Sequence, residues 1–195
     1  MTPPRRWAAW LLAALAGCGG ASDRGRPPLQ QQAALPPARA PIEDGATRRD
    51  RFCDALARII DAEPAGFGPL RGAHAGERRW EGAVVPAGLR SCAIEGDYFP
   101  GAAYVCRGEA IAGGPGDLLL GDYRRFAVEV DACLQQPIWY PRLWRQGQDF
   151  AFAGGERQVI WRDASTGPKP RVALKIEEEI GSGVYFLRLA VATDR

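Results

Sequence analysis

The chain has 195 residues, 25 Lys and Arg against 23 Asp and Glu, one histidine and five cysteines. Its near-neutral balance, without a Lys/Arg cluster, argues against a nucleic-acid binder, which needs a phosphate-neutralising surplus. A single histidine and the absence of any Cys-x-x-Cys pair argue against zinc, and no cofactor is expected.

Taken in chain order, Arg5-Arg6 precede an apolar run, Trp7–Ala16, that is too short to span a bilayer and reads as the core of a secretory signal. The run ends in Leu15-Ala16-Gly17-Cys18. This motif resembles the lipobox of bacterial lipoproteins, and the resemblance covers only about the first 20 residues. It implies a signal peptide over residues 1–17 and a mature first residue, Cys18, carrying a thioether-linked diacylglyceryl group and an N-acyl chain. Two or more acyl chains give stable membrane anchoring without a spanning helix. Gly19, where retention at the inner membrane calls for Asp in enteric bacteria, implies the outer membrane of the cell envelope. Without Arg5 and Arg6 the balance is 23 basic against 23 acidic residues.

Residues 18–47 then read as the lipidated cysteine and a disordered Pro/Gln/Ala-rich tether, with Pro27-Pro28, Gln30-Gln31-Gln32 and Pro36-Pro37 and few large apolar residues. A coil of that length reaches roughly 30 Å. A single domain is expected over residues 48–195.

Within the domain, Phe52, Leu56, Ile59 and Ile60 predict a helix over residues 49–62, stopped by Pro64. Gly66–Gly76 reads as a glycine-rich connection with a short extended piece near Leu70. Strands are predicted at Arg79–Val85, Leu89–Glu95 and Ala102–Glu109, the last two joined by a turn at Gly96–Gly101. A second helix is expected over residues 117–135, with Tyr123, Phe126, Val130, Cys133 and Leu134 on one face and Pro137 closing it. Four strands follow at Phe150–Phe152, Arg157–Arg162, Arg171–Glu178 and Val184–Ala192, the last two alternating apolar and wetter positions. Helix, three strands, helix, four strands fits an α+β domain: an antiparallel sheet of six to seven strands with two helices packed on one face.

With Cys18 set aside for lipid, Cys53, Cys92, Cys106 and Cys133 remain, an even set in an exported chain. A hairpin folding about Phe99 places Cys92 opposite Cys106 and leaves Cys53 to join Cys133 between the helices. The alternative sets Cys92 or Cys106 against a helix cysteine, since all four can face the core.

Catalytic signals are sparse. His74 lies among Gly72, Ala73, Ala75 and Gly76, a setting expected of a solvated loop, and Ser91, Ser165 and Ser182 lack a Gly-x-Ser-x-Gly context. Glu177-Glu178-Glu179 reads as a solvated strand end, and Gly113-Gly114-Pro115-Gly116 lacks the Lys-Ser/Thr of a phosphate loop. Trp139, Tyr140, Arg142 and Trp144 form the best binding candidate, because such residues carry interface energy; the competing reading has both tryptophans covering one end of the core. The expected function is therefore a non-catalytic, membrane-anchored lipoprotein binding an envelope protein or glycan. The alternatives are a hydrolase of an envelope polymer using carboxylates such as Asp97 or Asp122, and an inhibitor of a secreted hydrolase acting through Gly96–Gly101.

Overall fold

A computed structural model describes residues 45–98, 101–139, 141–152, 155–165 and 169–194. The signal peptide, Cys18, most of the tether, Phe99, Pro100 and Tyr140 lie outside these residues. The first helix, α1 (Gly45–Ala62), begins within the tail of the segment read as tether. It buries Phe52, Cys53, Leu56, Ile59 and Ile60 along one stripe, and Pro64 opens the short 3₁₀ turn that ends it. The second helix, α2 (Asp117–Leu134), starts behind Gly116 with Asp117 in its first turn, where a carboxylate favours the positive end of the helix dipole.

Among the described residues nine strands form one antiparallel sheet: β1 (Arg71–Gly76), β2 (Arg79–Gly82), β3 (Ser91–Tyr98), β4 (Gly101–Ala112), β5 (Trp144–Gln146), β6 (Phe150–Ala151), β7 (Arg157–Asp163), β8 (Lys169–Glu179) and β9 (Val184–Asp194). Their spatial order is β1-β2-β3-β4-β9-β8-β7-β5, with β6 also pairing β7. The expected α+β class with an antiparallel sheet and two helices holds, but six to seven strands was too few. The two strands without a sequence prediction are β1 and β5. Every residue of β1 is exposed, so its Gly/Ala-rich sequence shows no alternation of buried and wet positions, and β5 is only three residues long. His74 is consequently a strand residue on β1, not a loop residue; its ring meets Trp80 edge-on at 5.7 Å.

Register builds the core row by row. Trp80, Ile94, Tyr104, Val191, Val172 and Trp161 stand side by side across six strands, and Cys92, Cys106, Leu189, Leu174 and Val159 form the next row on the same face. Trp80 packs against, and the others belong to, one hydrophobic cluster with the buried stripes of α1 and α2; Phe52 and Phe126 meet within it, ring centroids 5.5 Å apart. Cys53 is disulfide-bonded to Cys133, tying α1 to α2, and Cys92 to Cys106 across the β3–β4 hairpin. Arg48 adds an ion pair to Glu129 between the helices.

The Tyr104 hydroxyl in this core is matched, whereas Trp144 Nε1 and Glu129 Oε2 are buried without a hydrogen-bond partner among the described residues. The Tyr104 hydroxyl donates to the Val84 carbonyl at 2.7 Å and accepts from the Val84 N–H at 2.9 Å, fastening the strand exit behind β2. Burial raises the Tyr104 pKa, although the hydrogen bond to Val84 opposes the shift. Gly82 is required here, because a Cβ would meet the Tyr104 hydroxyl and lie 2.8 Å from Cys92 Cβ.

Candidate functional site

The aromatic segment is assembled into a corner of the core. Trp139 and Trp144 are only 6% and 5% exposed, and their rings stack edge-to-face at 6.0 Å. Trp139 Nε1 donates to the Cys133 carbonyl at 2.8 Å. Arg142 lies over the Trp139 ring at 5.9 Å, and Ile138 and Leu143 present the exposed apolar surface of the segment. Beneath it, Asp163 accepts from Leu143 N at 3.1 Å and Ser165 N at 2.9 Å. Burial opposes ionisation of Asp163, but the Ser165 and Leu143 hydrogen bonds and the Arg142 charge outweigh it and hold the carboxyl below its usual range. These contacts are those of a structural corner.

The carboxylates named from sequence belong to different elements. Asp97 falls within β3, while Asp122 sits on α2, ion-paired to Arg125 at 2.6 Å. Asp122 shares a groove of about 620 Å³ with Glu109, Leu118 and Phe126, and Glu109 is itself paired to Arg90 at 3.0 Å. The turn proposed for an inhibitor is shortened by strand pairing, Tyr98 standing opposite Gly101. Among the described residues no group of three or more His, Cys, Asp or Glu side chains could hold a metal ion. No described helix is long and apolar enough to cross a membrane.

A different surface combines concavity with unusual chemistry: the sheet face opposite the helix-bearing core. Strand alternation places a row of small apolar residues there, Ala93, Val105, Ala190 and Ala173, in register across β3, β4, β9 and β8. Val105 is 2% exposed, yet Ala93, Val105, Phe186 and Ala190 all stand outside the main hydrophobic cluster. Charged rows border this furrow. On one side Ser91, Arg107, Arg188, Lys175 and Gln158 are aligned across five strands; on the other are Arg79, Glu95, Ala103, Ala192, Arg171 and Arg162. Long arginine stems lie along apolar floors while their heads stay polar, which accounts for a buried valine on a charged face.

The resulting trough has a volume of about 620 Å³; Arg107, Arg188 and Phe186 line its middle, with Glu95 and Arg79 towards one end and Glu177–Glu179 towards the other. A smaller hollow of about 320 Å³ continues it over Ala93 and Val105 towards Ser91 and Glu81. Arg188 Nε is 3.4 Å from Glu177, and Lys175 is 3.7 Å from both Glu177 and Glu156. The Arg107 guanidinium instead lies over the Phe186 ring at 4.8 Å.

Sequence reasoning missed this site. Its arginines are scattered over residues 79–188 and form no local cluster; only strand register makes them neighbours. The available signal was the alternation in β8 and β9, where Lys175 and Arg188 occupy the wetter positions. No family model, curated protein or solved structure matches the chain.

Proposed function

We propose that this chain is a lipoprotein of the bacterial outer membrane, anchored through Cys18, whose domain is a non-catalytic binding module for an envelope protein or glycan. The observation carrying the binding role is the trough on the sheet face opposite the core: a concave, mixed apolar and charged surface on a rigid, disulfide-braced scaffold. The anchor rests on the lipobox resemblance of Leu15-Ala16-Gly17-Cys18. This reading moves the contact surface from the tryptophan segment, whose indoles are buried, to the trough.

The test is site-specific photocrosslinking in intact cells, with the crosslinking residue at Ser91, beside the furrow, or at Val128, on the exposed side of α2. A discrete envelope adduct from Ser91 and none from Val128 is expected. Equal labelling from both positions, or none from Ser91, would overturn the binding role. Cys18→Ser is expected to release the protein from the membrane fraction, and retention there would overturn the anchor.

A further inference from the structure

Like charges stand directly opposite one another at the centre of the trough, as they also do towards the β5 edge of the sheet, where Arg162 faces Arg145 on β5 and Arg171 on β8. Arg107 on β4 stands directly opposite Arg188 on β9, and Lys175 follows Arg188 in the same row. Like charges directly opposite one another across strands are unfavourable. Arg188 and Lys175 are relieved by Glu177. Arg107 has no carboxylate within ion-pair distance among the described residues, and the Phe186 ring is its neighbour. Among the described residues Arg107 is thus relieved by a cation–π contact and not by a carboxylate, and a charge pattern left unneutralised inside a concave surface is where function is expected.

From this we infer that Arg107 and Arg188 form a subsite for one carboxylate of a peptide segment of the envelope partner, an inference that rests on the binding role proposed above. Paired guanidinium groups offer planar, bidentate donors that match a carboxylate. The surroundings restrict what is attached to it. Glu81 and Glu95 lie on the β2–β3 side and Glu177 and Glu179 towards the β8–β9 turn, so a continuous run of negative charge would meet repulsion at both ends. A single acidic residue flanked by neutral or basic residues fits the pattern. The floor of Ala93, Val105 and Ala190 suits an extended backbone with small side chains. Among the described residues it offers no open aromatic platform for a sugar ring, because Phe186 is covered by Arg107.

The experiment uses the full-length protein in a nonionic detergent, titrated calorimetrically with the peptide acetyl-Lys-Ala-Glu-Ala-Lys-amide. Its Gln counterpart and an alternating Glu/Ala peptide serve as comparisons. The single-Glu peptide is expected to bind, with affinity reduced at least about ten-fold by replacement of Glu with Gln, by Arg107→Gln or by Arg188→Gln, as for loss of a charge-assisted hydrogen bond. Arg107→Lys retains charge but not the fork and should give an intermediate loss; a urea midpoint measured on each variant establishes that it is folded. Arg124→Gln, on α2, is expected to leave binding unchanged. Absence of binding, equal binding of the Glu and Gln peptides, an equal loss in Arg124→Gln, or tighter binding of the polyanionic peptide would each overturn the subsite. If Ser91 still captures an envelope partner in cells while the peptide result is negative, the subsite fails and the binding role stands. If Ser91 captures nothing, the binding role itself fails.

Discussion

On one face of β4 and β9, Tyr104 is in register with Val191 and Cys106 with Leu189; on the other face of the same two strands, Val105 is in register with Ala190 and Arg107 with Arg188. The first face is over-determined. Each apolar residue there meets others in one cluster, the Tyr104 hydroxyl satisfies both Val84 backbone groups, and two disulfides fix the helices and the hairpin. The second face uses the same alternation to place small side chains between two rows of charge, and at its centre it carries a like-charge pair. Packing and polar satisfaction explain the residues of the first face. They do not explain Arg107, and that contrast directs attention to the trough.

Several experiments would break or sharpen this contrast, and the largest effects belong to the core. The Cys53–Cys133 disulfide closes the longer loop, so Cys53→Ala/Cys133→Ala is expected to lose about 4.5 kcal/mol in urea unfolding, against about 3 kcal/mol for Cys92→Ala/Cys106→Ala, on the chain-entropy account. Equal losses would mean that the long loop is already constrained in the unfolded chain. Within the aromatic corner, Trp144→Ala is expected to destabilise by about 3–5 kcal/mol, whereas exposed Leu143→Ala should stay within about 0.5 kcal/mol. Comparable small effects would return that segment to the surface.

Tyr104→Phe leaves the Val84 N–H and carbonyl unmatched and should cost about 1–3 kcal/mol near neutral pH. The folded-state pKa of Tyr104 is raised, so the stability linked to its neutral form is fully present below the unfolded tyrosine value of about 10 and is lost as pH rises through the folded pKa. Urea midpoints followed into alkali should therefore fall less steeply in Tyr104→Phe than in the native protein. Asp163 has the opposite sign. Its folded pKa is depressed, so its contribution is present above the unfolded value of about 4 and is lost as pH falls through the folded pKa. Asp163→Asn is expected to lower stability by about 1 kcal/mol at neutral pH, with the gap to native closing in acid. The smallest effect is expected on the open face: Arg107→Gln should shift stability by no more than about 0.5 kcal/mol, in either direction. A loss of several kcal/mol would make Arg107 a structural residue and remove the reason for placing a ligand there.

Much of the fold was legible because its signals are local. The Phe52/Leu56/Ile59/Ile60 stripe and the Tyr123/Phe126/Val130/Cys133 stripe repeat at helical spacing, and both are buried as that spacing requires. Register about the Phe99 turn placed Cys92 opposite Cys106, as the hairpin has it. The edge strand β1 was illegible because neither of its faces is buried. The fate of Trp139 and Trp144 was undecided in sequence, since an indole serves a core or a contact surface equally well; their edge-to-face packing and the Cys133 carbonyl place them inside.

By itself the sequence determined the α+β class, the two amphipathic helices, the even set of four domain cysteines and the alternation of the long strands. Each of these follows from spacing within a few residues or from parity. Only the tertiary structure decided that Arg107 stands beside Arg188, that Val105 and Ala190 form the floor beside them, and that the tryptophans close a corner of the core. Strand order and register bring together residues far apart in the chain, and a row across a sheet has no counterpart in linear spacing.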